Sequence, residues 1–329
     1  MECGEKWRSV RKVRYMEDIE TAVNYSTKYQ GQEFSGSTFA QLLVQGRMER
    51  QNLVQKHNER EISRTKKSLY QTHFGITLPD TLTFLKEIQV FSTQNGFVTP
   101  LRLSNEIQKA SNEREKRKLI LSYVLNSKYR TYRCLLRRLG EVQEFVISRC
   151  YFKRDRDATS FLVKNGFLTD VVSFYASRDL LYELDILNWC MSDEGLMVYS
   201  TGVFGEQKEN SFSEHINVHD SVLSFRKKFN NKVFVDELIE TYLNLTGRRF
   251  MVNADLIQLR DIFCRKYRIG DFYFKELLLK AVTENSSHKI LLNFGTISKR
   301  KTNYDLKITS LPKLYSDRLA LYIAIEERT

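Results

Sequence analysis

Three consecutive cations, Lys299, Arg300 and Lys301, lie in the polar segment 298–303 near the end of the chain. Apolar residues alternate on both sides of this segment, over residues 289–312, and predict a β-hairpin with the cations at its tip. Adjacent cations repel one another, and a nearby phosphate backbone relieves that repulsion while counterions are released. The pattern therefore indicates a hairpin tip that contacts nucleic-acid phosphates.

A denser group of cations lies between residues 102 and 138, with Tyr129 and Tyr132 among them. Interleaved cations and tyrosines suit contacts with phosphate and sugar, although tyrosines at this spacing equally fit half-buried positions between helices. Together with the hairpin tip and two lysines of a later helix, these cations form the candidate DNA-binding set. Its members are Arg114, Lys116, Arg117, Lys118, Lys128, Arg130, Arg133, Arg137, Arg138, Lys275, Lys280, Lys299, Arg300 and Lys301.

Two other groups of residues have types suited to metal chemistry. His215 and His219 are four residues apart, a spacing that would place two imidazoles on one face of a helix. No third ligand follows at a useful spacing, so we interpret the pair as incidental. Glu183, Asp185 and Glu194 precede a strand predicted over residues 196–204, but that strand supplies no lysine of the kind that a restriction-type nuclease places beside its acid.

The sequence contains no phosphate-binding loop, dinucleotide-binding, serine-hydrolase or zinc-protease motif. We therefore expect no catalytic residue, no metal site and no cofactor. A metal-dependent nuclease is kept as a minor alternative.

The charge of the chain favours a polyanionic partner. Lys and Arg number 52 against 40 acidic residues, for a net charge of +12. Residues 1–140 hold 25 of these cations and 14 of the acids, whereas the remainder is nearly balanced. Such an uneven field indicates nucleic acid rather than a membrane as the partner of the N-terminal part.

Composition narrows the class of protein further. The five cysteines show no CxxC pair, which argues against a zinc ribbon and against a disulfide framework. No apolar run approaches the roughly 20 residues of a membrane span. The first residues are charged throughout and resemble no signal peptide. We expect a cytoplasmic protein without a membrane partner.

Residues 1–76 are predicted to form a basic helical region. In residues 77–150, a helix over 78–91 precedes a turn at Asn95–Gly96 and an extended stretch ending near Ser104. Two basic helices follow, with Asn112 or Ser111 as the N-cap, a division at Ser127 and an end at Gly140. Residues 151–204 predict three short helices and a strand, with Thr169–Asp170 able to cap the second helix. The polar residues 205–233 predict a linker.

The C-terminal unit, residues 234–329, gives the clearest pattern. A helix over 234–247 is followed by a few extended residues and then by a second helix that begins at Asn253 and ends at Gly270. Leu256, Leu259, Ile262 and Phe263 mark its predicted buried stripe. Asp271 then starts a third helix, which leads to the hairpin.

This order of elements, most clearly over residues 234–308, resembles a winged helix-turn-helix, with weaker echoes over 155–204 and 79–140. The family has no short invariant motif, so the resemblance depends on element order. It implies that the helix over 272–285 occupies the recognition position and that Lys299–Lys301 lie on the wing. That helix carries two lysines but also Glu276 and Glu284, and it lacks Arg, Asn and Gln in its first turns, which favours backbone contact over base readout.

We therefore predict a mostly α protein with small β-hairpins, of the α+β class, containing tandem winged-helix-like units. The predicted function is non-catalytic binding of duplex DNA, as an accessory subunit of a larger DNA-processing or defence complex. The alternative is a protein-interaction scaffold that docks an ATPase or nuclease partner.

Overall fold

The computed structural model describes residues 13, 15–54, 78–148, 155–167, 169–204, 212–219, 221–226, 229–284, 288–295, 307, 310–315 and 318–327. Helices and small antiparallel sheets make up these residues, so the α+β prediction is confirmed. Among the described residues, no helix is long and apolar enough to cross a membrane. The predicted wing residues Lys299, Arg300 and Lys301 lie outside the described residues.

The N-terminal elements are helices around one β-hairpin. They are α1 (Met16–Lys28), α2 (Gly36–Val54), α3 (Leu78–Glu87), β1 (Phe91–Gln94) and β2 (Phe97–Pro100). Asp18 and Arg47 join α1 to α2 through a buried ion pair of 2.8 Å. The predicted turn at Asn95–Gly96 is confirmed, because both residues adopt the positive φ that such a hairpin needs.

Three further helices follow: α4 (Arg102–Lys109), α5 (Glu113–Asn126) and α6 (Arg130–Val142). Asn112 caps α5 by accepting a 2.9 Å bond from the N–H of Glu115, and Ser127 separates α5 from α6, both as predicted. The extended stretch predicted after the turn is confirmed as β2, but its predicted end near Ser104 is wrong, because α4 begins at Arg102. Helix α6 also continues past Gly140, which meets no close neighbour there.

The middle of the chain contains β3 (Glu144–Ser148), α7 (Asp155–Lys164), α8 (Val171–Glu183), β4 (Leu187–Met191), β5 (Gly195–Ser200) and β6 (Gly202–Phe204). Asp170 caps α8 through the N–H of Ser173, as the sequence indicated. The third helix predicted here is wrong: α8 is continuous to Glu183, and residues 187–191 form a buried strand beside β5. Periodicity alone does not separate a short buried strand from a buried helix.

The segment predicted as a linker contains a hairpin, β7 (Phe212–Val218) and β8 (Ser221–Arg226). β8 pairs with both β6 and β7, and β7 packs on α5. The linker prediction is therefore wrong for residues 212–226. One face of the hairpin is exposed, at His215 and Asn217, which explains the polar composition.

The C-terminal elements are α9 (Asn231–Leu245), β9 (Ala254–Asp255), α10 (Leu256–Tyr267), α11 (Asp271–Glu284), β10 (His288–Phe294), β11 (Lys313–Tyr315) and β12 (Arg318–Glu327). The three predicted helices are confirmed. Asp255, rather than Asn253, caps α10 by accepting from the N–H of Gln258 at 3.0 Å. Ile262 is exposed, whereas its neighbour Arg260 is fully buried, so the predicted stripe is wrong at Ile262.

The predicted pairing of the C-terminal hairpin is also wrong. β10 pairs with β12, over His288 to Phe294 and Ala320 to Glu327, rather than with residues 304–312. Within that predicted second strand, Lys307 is helical and fully buried. β12 also pairs with β11 and, at Ile323, with Ala254 of β9.

The apolar interior has two parts. The first core contains buried residues from Val13 to Leu223, and the second contains buried residues from Phe234 to Ile325. Phe272, at the start of α11, belongs to the second unit in sequence but packs against the first core. The start of α11 is therefore where the two cores meet.

Candidate functional site

A cleft of about 390 Å³ lies where α5, the loop after α8, strand β8 and the start of α11 come together. Five cations line it: Arg114, Arg117, Lys118, Arg268 and Lys275. Four of them belong to the predicted DNA-binding set, and the structure brings them together although Lys275 is far from the others in sequence. Arg268 was not predicted, and its sequence context, at the end of α10, gave no signal of its position.

Arg114 and Lys118, one turn apart on α5, share a single carboxylate. Arg114 Nη2 lies 3.2 Å from Glu214 Oε2, and Lys118 Nζ contacts the same oxygen. The guanidinium of Arg114 also lies 4.6 Å from the ring centre of Tyr273 on α11. These contacts hold α5 against both β7 and α11. Glu214 is the one carboxylate that Arg114 and Lys118 share, so its charge balances only one of these two cations.

Arg117 lies between Arg114 and Lys118 in sequence and makes different contacts. Its Nε donates to the carbonyl oxygen of Glu183 at 3.0 Å, and its guanidinium carbon lies 4.2 Å from the ring centre of Phe272. In the described part of the chain, Arg117 forms no ion pair with a carboxylate and its Nη atoms have no hydrogen-bond partner. Its charge is directed at the cleft and at nearby Asp185.

Asp185 caps α11 from outside that helix. Its carboxylate oxygens accept from the N–H of Phe272 at 3.1 Å and of Tyr273 at 3.0 Å, two donors that a helix start leaves without intrahelical partners. Burial raises the pKa of Asp185 to about 7, with a further increase from Asp271, while Arg117 and the two hydrogen bonds lower it. Position 185 has a φ of 61°, which directs the loop after α8 toward α11.

Lys275 lies one turn along α11 and is half-buried in the cleft wall. In the described part of the chain it forms no ion pair. Burial lowers its pKa, the charges of Arg117 and Lys313 lower it further, and Glu113 raises it by less. Lys275 is therefore an ammonium with cationic neighbours and no paired carboxylate.

A second ionic cluster, buried except for the slightly exposed Asp261, lies on the other side of the start of α11. Arg260 Nε and Lys307 Nζ each lie 3.2 Å from Asp271 Oδ2, and Lys307 Nζ lies 2.6 Å from Asp261 Oδ1. Burial alone would raise the pKa of Asp271, but Arg260 and Lys307 hold it below its usual value. Two cations and two carboxylates balance here.

The buried cluster also reaches the first core. Tyr182 Oη donates to Asp271 Oδ2 at 2.8 Å, and Asn188 Nδ2 donates to Asp271 Oδ1 at 2.7 Å. Because its charges balance and its groups bond one another, this cluster joins the two cores rather than binding a ligand. No sequence signal identified it, since its members are scattered over residues 182–310.

Several predicted DNA-binding residues have structural partners instead. Arg133 is buried and donates to the carbonyl oxygens of Leu125 at 2.6 Å and Ser127 at 2.7 Å, which closes the C-terminal end of α5. Arg137 Nη2 donates to Ser221 Oγ at 3.1 Å. Arg138 contacts Glu141 at 2.7 Å and donates to the carbonyl of Asn165 at 3.0 Å.

The remaining predicted cations lie on exposed surfaces or are paired with acids. Lys116 contacts Glu113 at 2.6 Å, Lys128 contacts Glu87 at 3.4 Å, and Lys280 contacts Glu284 at 3.7 Å. Arg130 is exposed at the start of α6. Of the predicted cations that the structure describes, only those on α5 and α11 around the cleft gather at one place.

The residues considered for metal or covalent chemistry have other contacts. His219 Nε2 lies 2.9 Å from Arg133 Nη1, and His215 Nδ1 lies 2.9 Å from Ser224 Oγ. Within the described ranges, no group of three or more His, Cys, Asp or Glu residues could hold a metal ion. Burial raises the pKa of Cys190 to about 11, which makes its thiol a poor nucleophile. Cys134 is disulfide-bonded.

Comparison with known proteins gives no relative for this chain: no family model, curated protein or solved structure matches it. The chemistry of the cleft is therefore inferred from its own side chains. Cations beside aromatic and aliphatic residues, in a concave site, suit a ligand with a negatively charged group and an apolar or flat body.

Proposed function

We propose that the protein is a non-catalytic nucleic-acid-binding protein that contacts the phosphate backbone of duplex DNA, as an accessory subunit of a larger DNA-processing or defence complex. The observation that carries this proposal is the pairing of β10 with β12. The chain between these paired strands includes Lys299, Arg300 and Lys301, so three consecutive cations lie in the connection of a strand pair. The net charge of +12 supports the same class of partner.

We also propose that the C-terminal unit is a winged helix. Its order is helix α9, short strand β9, helices α10 and α11, and then strands β10, β11 and β12, with β12 paired to β10, β11 and β9. This order supports the resemblance identified in the sequence, with α11 in the recognition position and the β10–β12 connection as the wing. In the described part of residues 151–204, two helices rather than three precede the β4–β5 hairpin, so the proposal is limited to the C-terminal unit.

The surroundings of α11 favour backbone contact over base readout. The first turn of α11 is docked on the first core through Asp185, Arg114 and Arg117. A winged helix reads bases with the early turns of its recognition helix. The later, exposed part of α11 carries the Lys280–Glu284 pair and has little net charge. Phosphate contact by the cations of the β10–β12 connection remains compatible with this docking.

A second candidate function, a scaffold that docks a protein partner, is favoured by two exposed apolar side chains on α11. Leu279 is 38% exposed and Val282 is 36% exposed, beside the nearly neutral Lys280–Glu284 pair. Exposed aliphatic side chains on a helix face suit an apolar partner surface. They add nothing to phosphate binding.

The affinity of the full chain for duplex DNA, measured over a series of salt concentrations, tests the proposal. We expect affinity to fall steeply with salt, and Lys299→Glu with Lys301→Glu to weaken binding by about tenfold or more at roughly 50 mM salt. Lys86→Glu, an exposed change on α3, is the control and should have a smaller effect. Absence of duplex binding at low salt, with co-purification of a protein partner, would overturn the proposal in favour of the scaffold.

A further inference from the structure

The cleft between the two cores has features that backbone binding by the β10–β12 connection does not use. Lys275 is half-buried in its wall, and in the described part of the chain neither Lys275 nor Arg117 forms an ion pair with a carboxylate. Burial and the like charges of Arg117 and Lys313 lower the pKa of Lys275, and Glu113 offsets only part of this effect. Like charges held together in a partly desolvated site are unfavourable unless an anion accompanies them.

The hydrogen-bonding capacity of the two cations suits a phosphate. Arg117 uses Nε on the carbonyl of Glu183, and its two Nη atoms have no partner among the described residues. A guanidinium can offer such a pair of donors to two oxygens of one phosphate, and an ammonium adds a compact charge. Together, one arginine and one lysine match the two negative charges of a phosphomonoester.

The rest of the cleft is larger than a phosphate and partly apolar. Its volume of about 390 Å³ lies within the range of small-ligand sites, roughly 300 to 1,000 Å³. Leu184, Ile269, Leu279 and Phe225 line it away from the cations. This lining suits an uncharged ring attached to the phosphate. Glu113 and Glu276 also line the cleft, where carboxylates accept hydrogen bonds from hydroxyl groups and disfavour a second anion.

We propose that this cleft binds a nucleoside monophosphate, with the phosphate between Lys275 and Arg117 and the base against the apolar wall. The nucleotide is either free or the 5′-phosphorylated end of a nucleic-acid strand, which presents the same phosphomonoester. None of the described residues that line the cleft belongs to the β10–β12 connection, so nucleotide binding can be tested separately from duplex binding.

Binding of AMP to the full chain, measured by titration calorimetry, tests the site, with adenosine as the ligand that lacks the phosphate. We expect AMP to bind more tightly than adenosine, by about tenfold or more, because only AMP has a phosphate that the cations can bind. Lys275→Met should weaken AMP binding about tenfold or more and leave adenosine binding unchanged. Lys280→Met, on the same helix but outside the cleft, should stay within about twofold of wild type.

Two further measurements distinguish a free nucleotide from a strand end and control for misfolding of the Lys275→Met variant. The first compares AMP with a short oligonucleotide that carries a 5′-phosphate. If the oligonucleotide binds more tightly than AMP, and only when it carries the phosphate, the cleft binds strand ends. If AMP binds more tightly, the cleft binds free nucleotide. Leu279→Trp places bulk at the cleft from an exposed position and should also reduce AMP binding. The inference is overturned if neither AMP nor the phosphorylated oligonucleotide binds at about 1 mM, or if Lys275→Met and Lys280→Met bind AMP equally well.

The outcome is independent of the proposed function. Closed circular duplex has no strand end, so its binding reports only on the backbone contacts. Leu279→Trp, which adds bulk at the cleft without changing a charge, should leave circular-duplex binding within about twofold of wild type, whereas Lys299→Glu with Lys301→Glu should weaken it. If the full chain binds duplex DNA but no nucleotide, the proposed nucleotide site is overturned and the proposed function is not.

Discussion

The carboxylate of Asp185 and the backbone of Gly270 are in such close contact that a Cβ on residue 270 would lie closer than 3.0 Å to three atoms of that carboxylate. The carboxylate has little freedom to move, because it accepts the N–H groups of Phe272 and Tyr273. Asp185, which follows helix α8 of the first core, thereby caps α11, a helix of the second core. The absence of a side chain at position 270 is a condition of that contact.

Gly270→Ala should lower the free energy of unfolding by about 2 to 4 kcal/mol, because the new methyl group overlaps the carboxylate that caps α11. Urea unfolding of the full chain measures the change. In an Asp185→Ala background, the same substitution should cost less, since the overlapping group is gone. Gly140→Ala is the matched control, because its Cβ meets nothing within 4 Å in a helix interior; it should stabilise by about 0.5 to 1 kcal/mol. Equal stability of Gly270→Ala and wild type would contradict the contact.

The pKa of Asp185 predicts a specific pH dependence. Its folded-state pKa is about 7, above the usual value of 3.8, because burial disfavours the ionised carboxylate. The folded protein therefore binds more protons here than the unfolded chain between about pH 4 and pH 7, so this group's contribution to stability is present at low pH and is lost as pH rises through about 7.

Asp185→Asn should remove this dependence, since the amide does not titrate. Between about pH 5 and pH 8, wild type should lose on the order of 2 kcal/mol relative to the variant. Urea unfolding of both proteins at the two pH values gives the comparison. If the two unfolding free energies change in parallel, Asp185 titrates at its ordinary value.

Local signals in the sequence identified several features of the fold. Asn112 and Asp170 are short polar side chains before helical segments, and both cap helices. Asn95–Gly96 was identified because few other dipeptides accept positive φ at both positions. These features depend on interactions within a few residues, which a sequence displays directly.

Pairings between distant residues were not predicted. Asp185 caps a helix that begins 86 residues later in the chain, and β10 finds its partner in β12 rather than in the nearer segment. The hydrophobic pattern placed Ile262 inside, but the structure buries Arg260 because Asp271 and the carbonyl of Lys307 compensate its charge. Tertiary partners of this kind leave no trace in local periodicity. The cleft is missed for the same reason, although four of its cations were in the predicted set.

Lys307→Met should lower the free energy of unfolding by about 3 to 5 kcal/mol, because it leaves Asp261 and Asp271 short of a counter-charge in a buried site. Urea unfolding measures this loss. Lys289→Met removes an exposed lysine 3.7 Å from Glu326, and this control should change stability by less than about 1 kcal/mol. A similar effect of the two substitutions would show that the buried cluster does not join the cores.

Arg133 and Arg130, one turn apart on α6, should behave differently although both belong to the predicted DNA-binding set. Arg133→Met removes donors from the carbonyls of Leu125 and Ser127 and should destabilise the fold by about 2 to 4 kcal/mol. Arg130→Met changes an exposed side chain and should stay within about 0.5 kcal/mol of wild type. Thermal or urea unfolding separates the two.

Duplex binding by the same two variants then distinguishes a surface contact from a structural role. If Arg130 contacts phosphate, Arg130→Met should reduce the slope of log affinity against log salt by about one unit without changing stability. Arg133→Met should leave that slope unchanged under conditions where it is fully folded, because its guanidinium is directed into the protein. A reduced slope for folded Arg133→Met would mean that its side chain leaves α5 to reach DNA, which its buried hydrogen bonds oppose.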